Sequence, residues 1–185
     1  MYKVSVIDMV NDIQKALDAE AYLSALSLSL TLPDLLAQVE YPELEGKRHV
    51  RERYVRWINE HYVVKYEKKR DRSHSESMNV LEDLTSKIDG NFIYSLRCSF
   101  VHSGSNDVSG VVENLDFELS FDGCDATTVC GNGERYWKHH VLCVPQFCKH
   151  ICAISEVLID KWKDDTVMQE RLSRYGANIL LYNIP

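Results

Sequence analysis

Two side chains in the stretch Asn91–Gly104 have the types and the spacing for chemistry on a charged ester: Arg97 and His102. An arginine presents a planar, permanently charged fork that suits phosphate oxygens, and a histidine can give and take a proton near neutrality. Ile93, Leu96 and Phe100 recur at helical spacing, which predicts a helix over 91–103 with these three turned to a core. Gly104 is placed to stop that helix, so His102 falls in its last turn, where free carbonyls favour a cation. The same two residues also fit a purely structural role, with Arg97 paired to a carboxylate and His102 capping carbonyls.

Arg97-Cys-Ser-Phe-Val-His102 resembles the R-x4-6-H signature of the HEPN superfamily, and its place at the end of a helix late in an all-α run, followed by Ser103 and Gly104, is similar too. The resemblance implies a mainly α, HEPN-like helical bundle, one domain over 1–185, whose active members are metal-independent endoribonucleases. It implies a homodimer, because two copies of the motif meet across the dimer in that superfamily. Arg97 and His102 are the catalytic residues it carries over. Cys98 departs from the pattern, since active members often have Asn, Asp or His after the arginine. RNA is the implied partner, the setting toxin-like or antiviral, and the product a 2′,3′-cyclic phosphate. The other reading is a non-catalytic helical module that keeps the fold and binds a protein or nucleotide partner.

The net charge of -7 argues against a general nucleic-acid binder, but the charge is unevenly spread. Lys47–Arg72 holds ten Lys and Arg against four Asp and Glu, a local balance of +6 on an acidic body. Screening limits the reach of distant charges to about 10 Å, so such a face can still meet phosphates. Arg48, Arg51 and Arg56 are the candidate RNA-binding residues, because they project away from the apolar stripe of Val50, Tyr54, Trp57 and Ile58. An ordinary solvated helix face is the competing explanation. His61 lies on the apolar stripe itself and reads as a satisfied boundary histidine.

Five of the six cysteines fall between Cys124 and Cys152, with His139, His140 and His150 nearby. There is no C-x2-C knuckle, and Cys148 and Cys152 sit one helical turn apart on an apolar face. His139 and His140, adjacent on a strand, would point to opposite faces. Buried thiols are therefore expected, with no metal and no cofactor. The longest apolar stretch, Ala21–Pro33, is interrupted by Ser24, Ser27, Ser29 and Thr31 and is too short and polar to span a bilayer, and no apolar signal core opens the chain. A cytoplasmic protein with no membrane partner is expected.

Positioning the pair requires a bundle. Three-and-four spacing predicts helices over 5–30, 46–66, 76–88, 91–103 and 146–164, with Pro33 opening a short helix through Val39 and a Ser73/Glu76 capping box before the third. From Asn114 the pattern alternates strictly, Leu115, Phe117, Leu119 and Phe121 against Asp116, Glu118 and Ser120. That predicts an antiparallel hairpin or ribbon inserted over about 114–144, with strands near 127–130 and 136–144. The apolar tail from Asn178 should tuck against the body.

Overall fold

The computed structural model describes residues 2–3, 5–63, 88–108, 115–123, 125–131, 136–174 and 178–179. The expected helix 76–88 and its Ser73/Glu76 cap lie outside these residues, apart from Ile88. The described chain is mainly helical, with a small sheet, and no helix in it is long and apolar enough to cross a membrane.

Helix α1 (Val6–Asp18) begins with a reciprocal cap: the Ser5 hydroxyl accepts from the Asp8 amide at 3.2 Å, and the Asp8 carboxylate accepts from the Ser5 amide at 2.8 Å. The expected single helix over 5–30 is corrected here. Glu20 takes a left-handed φ of 55°, and the Ala21 amide reaches back to the Ala16 carbonyl at 2.8 Å, the helix-ending pattern that usually uses glycine. The chain reverses and forms α2 (Tyr22–Glu40).

Pro33 does not open a new helix; it lies inside α2. Its missing N–H removes the bond residue 33 would make to the Ser29 carbonyl, a cost that burial offsets. Ala25, Leu26, Leu30, Leu32, Leu36, Ala37 and Val39 are all buried, because α2 runs between α1 and the later helices. The alternating leucines that resembled a strand belong to a helix covered around much of its circumference.

The expected helix over 46–66 is, over 47–63, three kinds of turn in succession, and residues 64–66 lie outside the described ones. A 3-10 turn (Lys47–His49) leads into α3 (Val50–Trp57), and the axis continues as a π-helix (Ile58–Val63). Helix α4 (Gly90–Ser103) follows the expected bounds closely. Asp89 caps its start by accepting from the Phe92 amide at 3.0 Å, and Gly104, with φ 64°, ends it by donating to the Phe100 carbonyl at 2.9 Å. The Asn59 side chain, on the π-helix, accepts from the Gly90 amide at 2.7 Å. Here α3 and α4 nearly touch: a Cβ on Gly90 would lie 2.4 Å from the Val55 carbonyl oxygen and 2.9 Å from its Cα.

Strands β2 (Leu115–Ser120), β3 (Ala126–Gly131) and β4 (Tyr136–Cys143) form one sheet in the order β2-β4-β3. β3 and β4 pair antiparallel, but β2 pairs parallel to β4, so the all-antiparallel ribbon is corrected to a mixed sheet. Alternation reveals a strand and its buried face; it carries no information on the direction of its neighbour. The connection after β2 passes the end of β4, where the Cys143 amide donates to Asp125 at 2.6 Å and Gln146 donates to the Gly123 carbonyl at 3.1 Å. Phe117 meets Phe92 of α4 edge-on at 4.9 Å and lies parallel to His140 at 6.0 Å, which seats the sheet on the bundle.

Helix α5 (Val144–Lys161) starts at the residue after β4 and packs on α1 and α2; Phe147, Cys148, Ile151 and Cys152 are buried. A further helix, α6 (Thr166–Arg174), which the sequence pattern did not announce, contacts α2. A two-residue pair, β1 (Tyr2–Lys3) with β5 (Asn178–Ile179), joins the ends of the described chain.

Two expectations test this packing. Gly90→Ala should destabilise the fold by about 1–3 kcal/mol, because its methyl meets backbone of α3 rather than a side chain that can turn away; urea denaturation reads this. His140 is buried, and desolvation, helped by the charge of His139, pushes its pKa down to about 4. Between pH 6.5 and 4 the unfolded chain binds a proton there that the folded chain does not, so stability should fall by about 3 kcal/mol as pH drops through that window. His140→Phe should remove that part of the acid sensitivity.

Candidate functional site

Arg97 emerges from α4 toward a carboxylate on α2. Asp34 Oδ2 lies 3.6 Å from an Arg97 terminal nitrogen, while its Oδ1 accepts from Arg53 Nε at 3.0 Å. One carboxylate thus faces two guanidiniums. Arg53, 5% exposed, is the more tightly held, since it also donates to the carbonyls of Gly46 at 2.8 Å and Leu44 at 3.3 Å. Arg97 is 17% exposed, and its buried Nε has no hydrogen-bond partner among the described residues. Its guanidinium lies 5.5 Å from the Tyr54 ring centre and 5.9 Å from that of Tyr94.

The tyrosines are fixed differently. Tyr54 is fully buried and donates to the Leu30 carbonyl at 2.9 Å; burial pushes its phenol pKa up, against the opposing charge of Arg97. Tyr94 is half-buried, and its hydroxyl pKa is raised by that burial and by a hydrogen bond with Cys98 one turn later. Cys98, the departure from the motif, is a partly buried free thiol near the Tyr94 hydroxyl.

His102 is exposed in the last turn of α4, beside Val101, which is also exposed. Five residues of helix separate it from Arg97 by about 7.5 Å along the axis and about 140° around it. Arg97 is therefore turned into the bundle and His102 out of it. A single copy does not bring the two side chains to one point by helix geometry alone.

Arg48, Arg51 and Arg56 do share one place. They line an open groove of about 610 Å³ together with Glu52, Val55, Asn59, Glu60 and Asn91, at the junction of α3 and α4. They are not equivalent there. Arg56 is held by Glu60 at 2.9 Å and Glu43 at 2.9 Å and lies 4.1 Å from the Tyr41 ring centre. The Glu60 hydrogen bond raises the Arg56 pKa, and Glu60 is lowered in turn by Arg56 and Tyr41 despite the opposing effect of partial burial. Arg51 donates to Asn91 at 3.0 Å, and Arg48 is exposed with no ion pair among the described residues.

His61 meets Glu40 at 2.8 Å and packs beside Trp57, so it ties the π-helix to α2 as expected of a boundary histidine. Cys143, Cys148 and Cys152 are buried thiols; burial pushes Cys148 up to about 11 and Cys152 up to about 12, far from thiolate at neutral pH. Among the described residues no group of three or more His, Cys, Asp or Glu is placed to hold a metal ion. His139 is exposed enough to pair with Asp116 at 2.9 Å, while His140 faces inward. Asp34 and Tyr94 are the site residues the sequence reading did not single out. Asp34 carried a signal, an acid set in the apolar stretch of α2 directly after Pro33.

Comparison with known proteins finds no matching family model, no matching curated protein and no matching solved structure.

Removing the shared carboxylate should be costly. Asp34→Ala leaves two guanidiniums facing each other and is expected to destabilise the fold by about 3–5 kcal/mol, the range for breaking a buried ion pair on one side. A double-mutant cycle should assign most of that coupling to Arg53, whose contact is shorter and drier, and under about 1 kcal/mol to Arg97.

Proposed function

We propose that this chain is a HEPN-like, metal-independent endoribonuclease acting as a homodimer, with Arg97 and His102 as its catalytic residues. The observation that carries the reading is their pairing on one helix: an exposed histidine in the last turn, and an arginine whose only carboxylate partner among the described residues is already engaged by Arg53. Such an arginine retains donors for a phosphate.

Metal-free RNA cleavage needs a base at the 2′-hydroxyl, an acid at the leaving 5′-oxygen, and a cation on the phosphoryl oxygens. One copy of His102 takes the 2′-hydroxyl proton. The 2′-oxygen attacks phosphorus, the bond to the 5′-oxygen breaks, and His102 of the partner subunit protonates that oxygen. The products are a 2′,3′-cyclic phosphate and a 5′-hydroxyl. Arg97 from each copy stabilises the charge that gathers on the phosphoryl oxygens. The outward direction of His102 fits a site completed by a second copy, and the exposed Val101 beside it offers apolar surface for that contact. A toxin-like or antiviral setting follows from the resemblance alone.

The second reading, a non-catalytic module for a protein or nucleotide partner, is favoured by one observation: Arg97 is packed among Asp34, Tyr54 and Tyr94, as a structural arginine would be. Incubation of the purified protein with mixed RNA in EDTA separates the two. The nuclease reading expects cleavage that His102→Ala abolishes with the melting temperature unchanged, and that Arg97→Ala reduces by about 100-fold or more. No cleavage of any RNA, with Arg97→Ala lowering the melting temperature and His102→Ala inert, leaves the binding module.

A further inference from the structure

We infer that Tyr94 is a nucleobase-stacking subsite for single-stranded RNA, joining the arginine groove to Arg97; this rests on the RNA-acting reading above. The ring lies on α4 one turn after Asn91, which lines the groove, and three residues before Arg97. Its centre is 6.0 Å from the Arg51 guanidinium and 5.9 Å from that of Arg97, so one cation of the groove and one of the motif flank a single aromatic ring.

Guanidiniums at this distance stand at the outer limit of cation–π contact and do not close on the ring. Arg51 is exposed and held by the Asn91 amide, so it can follow a phosphate while a base takes its place beside Tyr94. The ring's packing is rigid: the buried Tyr54 ring meets Tyr94 edge-on at 5.5 Å and is itself tied to the Leu30 carbonyl. The ligand this arrangement fits is a base with a phosphate on either side, one toward Arg48 and Arg51 and one toward Arg97.

A duplex does not fit, because paired and stacked bases present no π face to a side chain. The groove is also sparing with positive charge, since Glu52 and Glu60 line it and Arg56 is engaged by Glu43 and Glu60, which leaves Arg48 and Arg51 for phosphates.

A fluorescein-labelled RNA hexamer carrying 2′-O-methyl groups at every position cannot be cleaved through its 2′-oxygens, so anisotropy at low salt reads the subsite apart from catalysis. Tyr94→Leu is expected to weaken binding about tenfold, the loss of one stacked base, and Tyr94→Phe to retain it. Tyr94→Gln serves as a second truncation if the leucine variant melts early. The logarithm of affinity should fall against that of salt with a slope of about -1.4, as for two phosphate contacts on a single strand. No binding by the parent, or equal binding by the parent and a folded Tyr94 truncation, overturns the subsite. Adenosine monophosphate binding as tightly as the hexamer overturns the single-strand assignment and leaves a free-nucleotide site. Tyr94-dependent binding without cleavage of any RNA removes the nuclease and leaves the subsite standing.

Discussion

A single carboxylate, Asp34, ties three helices together. It sits on α2, holds Arg53 of α3 through a short hydrogen bond, and faces Arg97 of α4 across a longer gap. Putting a charge beside Pro33 in the most apolar of the described helices is expensive unless cations come to it. Two come, and the second is incompletely satisfied. The orientation of Arg97, the seat of Tyr94 and the closeness of α3 to α4 at Gly90 all depend on helices that this carboxylate keeps in register.

The helix carrying the candidate pair was legible because its signals are local: Ile93 and Leu96 mark its inner face, Gly104 its end, and all three serve as their types imply. The strands after Asn114 were legible for the same reason, since a half-exposed strand writes its two faces into alternate residues. What escaped is set by partners distant in sequence. The reversal at Glu20 uses a left-handed residue with no glycine to announce it. The leucine run in α2 mimics a strand because a helix buried on several sides loses its polar face. The parallel direction of β2 is decided by where the chain must go next, and no residue in the strand encodes it.

The arginine face shows why counting charges along a sequence overstates a binding surface. Arg48, Arg51 and Arg56 do line one groove, yet Glu43 and Glu60 neutralise Arg56 within hydrogen-bond distance. Glu43 lies outside the basic segment in sequence and inside it in space. A local excess of charge therefore becomes a small number of usable cations, and their placement near Tyr94 matters more than their number.

The junction of β4 and α5 has a mechanical meaning. Cys143 ends the strand, Val144 begins the helix, and Asp125 and Gly123 fasten the crossing connection over that same point. No linker separates sheet from bundle, so the central strand and the helix packed on α1 and α2 form one lever. A pull on the sheet from outside would be felt at the helical core before it could be absorbed as loop motion. The sheet is accordingly a handle on the bundle, and anything that grips it works against α5.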